Sequence, residues 1–279
     1  MQDIIRTVYG AELQTATLLN IPLNIKPYST LNEKFSVHDN VTIADTDRPS
    51  LKYIAIGNGG HRVSTGANNL AKLEPVSHSP RNAALYNHLP FIMRAVGSDL
   101  TAEERINYRL RKQVTYDGIT YIAYYLKVLD LAATNPLLEL RVIEDGVTSS
   151  SEFIPNASDL NPTPPAINSG QVLTTSGDYI AATAKVPFIM TEEDITEFLN
   201  VCNIIYGDDS YSMISELAIC SGIDKIVPGN FNGTTVNYLD AIGVQVINFI
   251  NTSFPAKYTN SGINMLFDIG SIEPLLVLS

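Results

Sequence analysis

The sequence contains no tryptophan, only two cysteines and four histidines among 279 residues, and just 17% of it is charged. Without tryptophan, the strongest platform for stacking a sugar or a cation is missing. Cys202 and Cys220 stand alone, with no C-x-x-C and no histidine at ligand spacing. That pattern excludes a zinc finger or ribbon and predicts two buried free thiols. His38, His61, His78 and His88 form neither H-E-x-x-H nor H-x-H, and no G-x-S-x-G elbow is present. They read as surface or capping side chains in loops or at a helix edge, so no catalytic residue, metal site or cofactor is assigned. Basic residues are scarce as well: 18 Lys and Arg face 29 Asp and Glu, a net charge of −11. Such a chain gains little from neutralising phosphates, and specific nucleic-acid binding is not expected. No run approaches the roughly 18 apolar residues of a membrane-spanning helix, so no membrane contact is expected. The opening MQDIIRTVYG has neither a continuous apolar stretch nor a small-residue cleavage site, which points to cytosolic synthesis without a signal peptide.

What is present is 45% hydrophobic residues, enough for a sizeable core, with Asn, Thr and Ser where charge would usually sit. Such a surface suits a protein partly covered by neighbours. Residues 1–30 read as a short helix followed by an extended arm, because Pro22 and Pro27 prevent a helix from continuing beyond Asn20. Leu51–Gly57 alternates as a strand and stops at Gly57-Asn58-Gly59-Gly60, after which residues 61–80 read as loop. The spacing of Ala84, Leu85, Leu89, Ile92 and Met93 predicts a helix over 81–96, bent at Pro90. Thr101 and Glu104 form a capping-box pattern ahead of Ile106 and Leu110, predicting a second helix.

Gly118–Leu131 is the densest aromatic and β-branched run and reads as a strand buried on both faces, with Leu137–Ile143 as its antiparallel partner. Residues 146–178, rich in Ser, Pro and Asn, read as a long surface excursion. Tyr179–Met190 is strand-like, Thr191-Glu-Glu-Asp194 opens a helix through Ile205, and another helix is predicted from Ser210 to Cys220. A strand is expected from Gly243 to Asn251 and another over Ile263–Ile269, with a proline-marked apolar tail after it. The expected fold is α+β: a mainly antiparallel sheet with a few packed helices and long interface loops, forming one domain over 31–279 behind the 1–30 arm.

Three constellations invite chemistry. Gly57-Asn58-Gly59-Gly60-His61 comes after a strand as a phosphate loop does, but the Lys-Ser/Thr of a Walker loop is missing and a structural turn is expected. Asp45 with Asp47, and Asp208 with Asp209, lack the oxygen count of a calcium loop and read as turn or cap residues. Arg105, Arg109, Arg111 and Lys112 form the one clear basic cluster, on the helix predicted from Thr101. They are candidates for docking an acidic patch of another subunit.

The segments TIADTDRPSLKYIAIGNGGHR (42–62), SPRNAALYNHLPFIMRAV (79–96) with the adjoining ERINYRLRK, and NFNGTTVNYLDAIGVQVINFINTSFP (230–255) resemble virion structural proteins of tailed bacteriophages, especially neck, collar or baseplate components of contractile-tailed phages. The resemblance implies a non-enzymatic subunit repeated around an axis in a homo-oligomeric ring. It also implies contacts with other virion structural proteins, assembly in the host cytoplasm, residence in the virion, and no catalytic residues to carry over. Interface duty is then expected of segment 1–30, the 146–178 excursion, the Arg105, Arg109, Arg111 and Lys112 cluster, and the tail residues Leu275, Leu276 and Leu278. The alternative is a receptor- or carbohydrate-binding module at a tail tip, favoured by Tyr- and Asn-rich loops. A hydrolase would need His61 or His38 brought to an acid or a nucleophile.

Overall fold

A computed structural model describes residues 4–166, 170–231, 234–258 and 262–278. In chain order the elements are β1 (Ile4–Arg6), α1 (Val8–Leu19), α2 (Leu31–Phe35), β2 (Ser50–Gly57), β3 (His61–Thr65), β4 (Ala71–Pro75), β5 (His88–Leu89), β6 (Ile92–Ala95), β7 (Tyr108–Tyr116) and β8 (Ile119–Val128). The second half of the chain adds β9 (Pro136–Glu144), β10 (Val147–Glu152), α3 (Ala157–Leu160), β11 (Leu173–Met190), α4 (Glu192–Tyr206), β12 (Met213–Phe231), β13 (Thr234–Pro255) and β14 (Ile263–Leu278). Among the described residues strands hold 51% and helical turns 19%, so the antiparallel sheet expected from the sequence is present in a more β-rich fold. Where the sequence reads as an arm and one domain, the backbone separates into two compact units: 1–129 with 189–263, and 130–188 with 264–279.

The first unit is built on an eight-stranded sheet in the order β1-β13-β12-β2-β8-β6, with β5 attached to β2 and β7 to β8. The long hairpin β12/β13 is its spine. Leu217, Ala218, Ile219 and Cys220 on β12 are all fully buried, as expected of a strand flanked by β13 and β2. Here the predicted helix Ser210–Cys220 is corrected to a strand. A short continuous apolar run fits a buried helix and a buried strand alike, and long-range pairing decides. The same reason corrects 81–96: Leu89, Phe91, Ile92 and Met93 are all buried, and Pro90 gives way at once to pairing as the Phe91 N–H donates to the Tyr124 carbonyl at 2.9 Å.

The Thr101 capping box forms, with Thr101 N–H donating to Glu104 at 2.7 Å, but it opens only a single tight turn over Glu104–Asn107. The chain then enters β7, because Asp117 and Gly118 take left-handed φ values of 48° and 77° and fold it into a two-residue hairpin with β8. The partners of β8 are therefore β7, β6 and β2, and β9 is not among them. Residues 61–75, expected as loop, form the hairpin β3/β4. Pairing along β13 begins at Thr234, well before the predicted Gly243.

The N-terminal segment guards the outer edge of β13. The Thr7 hydroxyl donates to the Val246 carbonyl at 2.6 Å and accepts from the Gly10 N–H as the cap of α1, while Gly10 has no room for a Cβ against Ile247. Beyond α1, residues 21–26 form no helix, the chain turns at Pro27-Tyr28, where Tyr28 has a φ of 62°, and α2 follows with its own capping box pairing Thr30 with Glu33. That cap presents Asn32, whose amide donates to the Ala241 carbonyl and accepts from the Val244 N–H, each at 2.9 Å. One side chain thus replaces a strand where β13 bulges at Gly243, whose φ is 59°.

The second unit is a four-stranded sheet in the order β10-β9-β11-β14. Asp145-Gly146, with φ of 49° and 78°, closes β9/β10 as a second two-residue hairpin. The 146–178 excursion is therefore corrected to β10, α3 and the start of β11, with residues 167–169 outside those described. The apolar tail is likewise part of β14.

Replacing Asn32 by alanine leaves a buried N–H and a buried carbonyl of β13 without partners, and is expected to cost about 3 kcal/mol. Urea unfolding monitored by circular dichroism should show a lower midpoint with an unchanged slope.

Candidate functional site

The densest polar cluster centres on Glu216 of β12, which is fully buried. Oε1 accepts from the N–H groups of Gly59 at 2.9 Å and Asn87 at 2.8 Å; Oε2 accepts from the Tyr86 N–H at 3.0 Å and sits 2.8 Å from His78 Nε2. His78 is stacked between Tyr86 and Phe249, with ring centroids 4.1 and 3.9 Å away. Its predicted surface position is corrected to a buried one. The glycine cluster is the turn that the sequence suggests. Gly60 N–H donates to Ser215 Oγ at 3.0 Å, and a Cβ on Gly60 would lie 2.3 Å from the Ser215 carbonyl. The amides of Gly59 and Gly60 are thus bonded within the chain, not presented to an anion.

Two more carboxylates on the same hairpin act alike. Asp224 of β12 accepts from Arg109 Nε at 2.7 Å and from the Tyr53 hydroxyl at 2.9 Å. Asp240 of β13, fully buried, accepts from the N–H groups of Leu110, Arg111 and Ala241, with His38 Nε2 3.3 Å away. Leu110 has a left-handed φ of 56°, a strained state for a bulky side chain that the Asp240 bond to its N–H holds in place. On α4, Asp194 accepts from the Tyr108 hydroxyl at 2.6 Å and is ion-paired with Lys127.

Burial alone would raise the carboxyls of Asp194 and Asp224. The Lys127 ammonium and Tyr108 hydroxyl outweigh it at Asp194, and Arg109, Tyr53 and Lys52 do so at Asp224, leaving both below the ordinary carboxylate range. Desolvation, with Lys34 and His78 nearby, holds His88 well below an ordinary imidazole, and its Nε2 accepts from the Leu85 N–H at 3.0 Å. Cys202 and Cys220 are both buried free thiols, as expected, and burial pushes Cys202 up to about 12.

A cavity of about 490 Å³ is lined by residues 22–27 and 38–45 together with Gly243. Its volume is on the scale of a small-ligand site. Of the charged groups that line it, Lys26 pairs with Glu12, Glu33 with the backbone of 28–30, and His38 with Tyr238 and Asp240; Asp39 and Asp45 line it as well. Among the described residues, no three His, Cys, Asp or Glu side chains converge as metal ligands.

Of the predicted docking cluster, Arg109 is buried on Asp224, and Arg111 pairs with Asp99 at 2.7 Å while lying over the Tyr238 ring. Arg105 donates to the Leu100 carbonyl at 2.7 Å, and Lys112 lies over Phe35. The helical face that was to unite Arg105 and Arg109 is replaced by a turn and a strand. Leu275 is half-buried and Leu276 is 59% exposed, both on β14; Leu278 ends that strand, and its side chain lies outside those described. His38 lies 3.2 Å from the Tyr238 hydroxyl and meets an acid, Asp240, that sequence adjacency to Asp39 does not indicate.

Replacing Glu216 by alanine leaves four buried donors unpaired, and a loss of at least about 3 kcal/mol in chemical unfolding is expected. Stability should also fall with acid in two stages. His88 is neutral when folded but takes a proton when unfolded, so stability declines as pH drops below about 6.5; Asp194 and Asp224 then withdraw theirs as pH falls below about 4 through their lowered folded values. Thermal melts across about pH 3 to 8 should show both limbs, with His88→Gln removing the upper one.

No curated protein and no solved structure matches the chain. A family model described as a family of unknown function, DUF7208, matches residues 1–279. The chain therefore belongs to the DUF7208 family.

Proposed function

We propose that this chain is a structural subunit of a tailed-phage virion, forming a symmetric ring in the neck or collar at the head-to-tail connection, or in the tail or baseplate. Its function on this reading is assembly with copies of itself and with other virion proteins, not catalysis. The observation that carries the assembly reading is the far end of the hairpin β12/β13. Pairing between β12 and β2 ends at Gly222, whereas pairing between β12 and β13 continues to Phe231 and Thr234. Asp224 and Asp240 anchor the base of this extension; beyond it the hairpin is a two-stranded ribbon.

Two-stranded ribbons are marginal in water, and this one carries Ile226, 72% exposed, directly opposite Leu239, 43% exposed. An exposed apolar pair on a two-stranded ribbon gains stability against a neighbour. The N-terminal segment adds Leu18, 78% exposed, with Leu19 and Ile21 also open to solvent. The tailed-phage assignment is supported by the resemblance carried by residues 42–62, 79–96 and 230–255. The net charge of −11 fits a ring through which nucleic acid passes without adhering.

Mass photometry and negative-stain imaging of the purified chain should show discrete rings. The pair Ile226→Lys and Leu239→Lys should shift them to monomers with unchanged circular dichroism. A wild-type chain that stays monomeric at high concentration overturns the reading.

A further inference from the structure

We infer that the sheet of the second unit continues from one copy to the next, the outer edge of β14 pairing antiparallel with β10 of the neighbouring copy. The inference rests on the ring reading above and names its contact.

Open sheet edges are a liability that proteins suppress with short strands, charge, proline or covering segments. The first unit does so: β1, Thr7 and Asn32 cover the β13 edge, the opposite edge, β7, carries Arg109, Arg111 and Lys112, and β6 is only four residues long. The second unit does not. Its sheet ends in β14, a strand of 16 residues, and in β10, VTSSSE, with every residue exposed. Among the described residues, no backbone hydrogen bond reaches the outer edge of either strand. β14 carries two charges, Asp268 and Glu273, and one proline, Pro274, which leaves Ile263–Ile272 with a single charge and no proline.

Strand directions make the two edges complementary. β10 and β9 are antiparallel, as are β9 and β11. β14 runs against β11, since Ser176 approaches Leu275 while Ala182 approaches Gly270. β14 and β10 therefore point in opposite directions, so a second copy in the same orientation brings its β10 antiparallel to β14. Such a head-to-tail contact uses both edges of every subunit and repeats from copy to copy, giving a ring when the rotation per copy closes, whereas β14 against β14 would stop at a pair and leave β10 open.

The faces can be matched as well. Arg141 Nη2 donates to Asp268 Oδ2 at 3.2 Å, and Ser150 stands opposite Arg141, so all three share one face. Alternation along β14 adds Leu266, 63% exposed, and Ile272, 58% exposed, to that face, while Ser271 belongs to the other.

Cysteine pairs read this arrangement directly, because both native thiols are buried. Ser150→Cys is combined in the full chain with Leu266→Cys, Ile272→Cys or Leu276→Cys, oxidised mildly and resolved on non-reducing gels. A ladder of covalent multimers is expected from at least one of these pairs, and none from Ser150→Cys with Ser271→Cys. Dimers from Leu266→Cys or Ile272→Cys alone would show two-fold β14 pairing and overturn the inference. Rings in the microscope without any ladder from the cysteine pairs overturn it while leaving the ring reading in place; a wild-type chain without rings, with no ladder from the cysteine pairs, overturns both.

Discussion

Everything in the first unit depends on buried carboxylates spaced along one hairpin. Irregular backbone cannot enter a core unless its N–H groups find acceptors there, and water is not available to supply them. Glu216 and Asp240 do so from β12 and β13, while Asp224, a quarter exposed, holds the side chains of Arg109 and Tyr53. Glu216 gathers the amides of Gly59, Tyr86 and Asn87; Asp240 gathers those of Leu110 and Arg111. The segments between strands are thereby fastened to the spine with the specificity of charge-assisted bonds, about twice the strength of neutral ones. This explains how a sheet with three-residue and two-residue strands at β1 and β5 keeps a defined register.

The parts of this fold legible in the sequence are those governed by local chemistry. Thr191 with Asp194 caps α4 as the pattern indicates, and Gly207 ends that helix with a φ of 71°. β2 and β8 arise from alternation and β-branching. Local pattern left undetermined the apolar runs shorter than three helical turns: LAIC on β12 and LPFIM across β5 and β6 fit either period, and only their neighbours in space decide. Two signals were nevertheless available. Asp117-Gly118 and Asp145-Gly146 are the strongest short hairpin dipeptides, and each marks a turn that separates two strands. Reading the first would have placed Arg109 and Arg111 on a strand.

The polar cluster was less legible for a different reason. The partners of Glu216 lie more than a hundred residues away in sequence, as do the pairs Arg109–Asp224 and Leu110–Asp240. No spacing rule connects residues that meet only through sheet topology. A basic run such as RLRK therefore looked like a solvated or docking stripe, when alternation turns two of its arginines toward Asp99 and Asp224.

That internal use of charge bears on what the surface can do. Arg94, Arg109, Arg111 and Lys127 are all paired inside the first unit with Glu197, Asp224, Asp99 and Asp194. Of the 18 basic residues none lies on β10 or β14, the open strand edges that lysine most often serves to suppress. The outer residues of β10 are Val, Thr, Ser and Glu, and those of β14 include Leu266 and Ile272. For a lone molecule in solution this distribution favours aggregation. For a subunit whose edges are occupied by its own copies, the same distribution removes the desolvation cost that charged edges would impose on every contact.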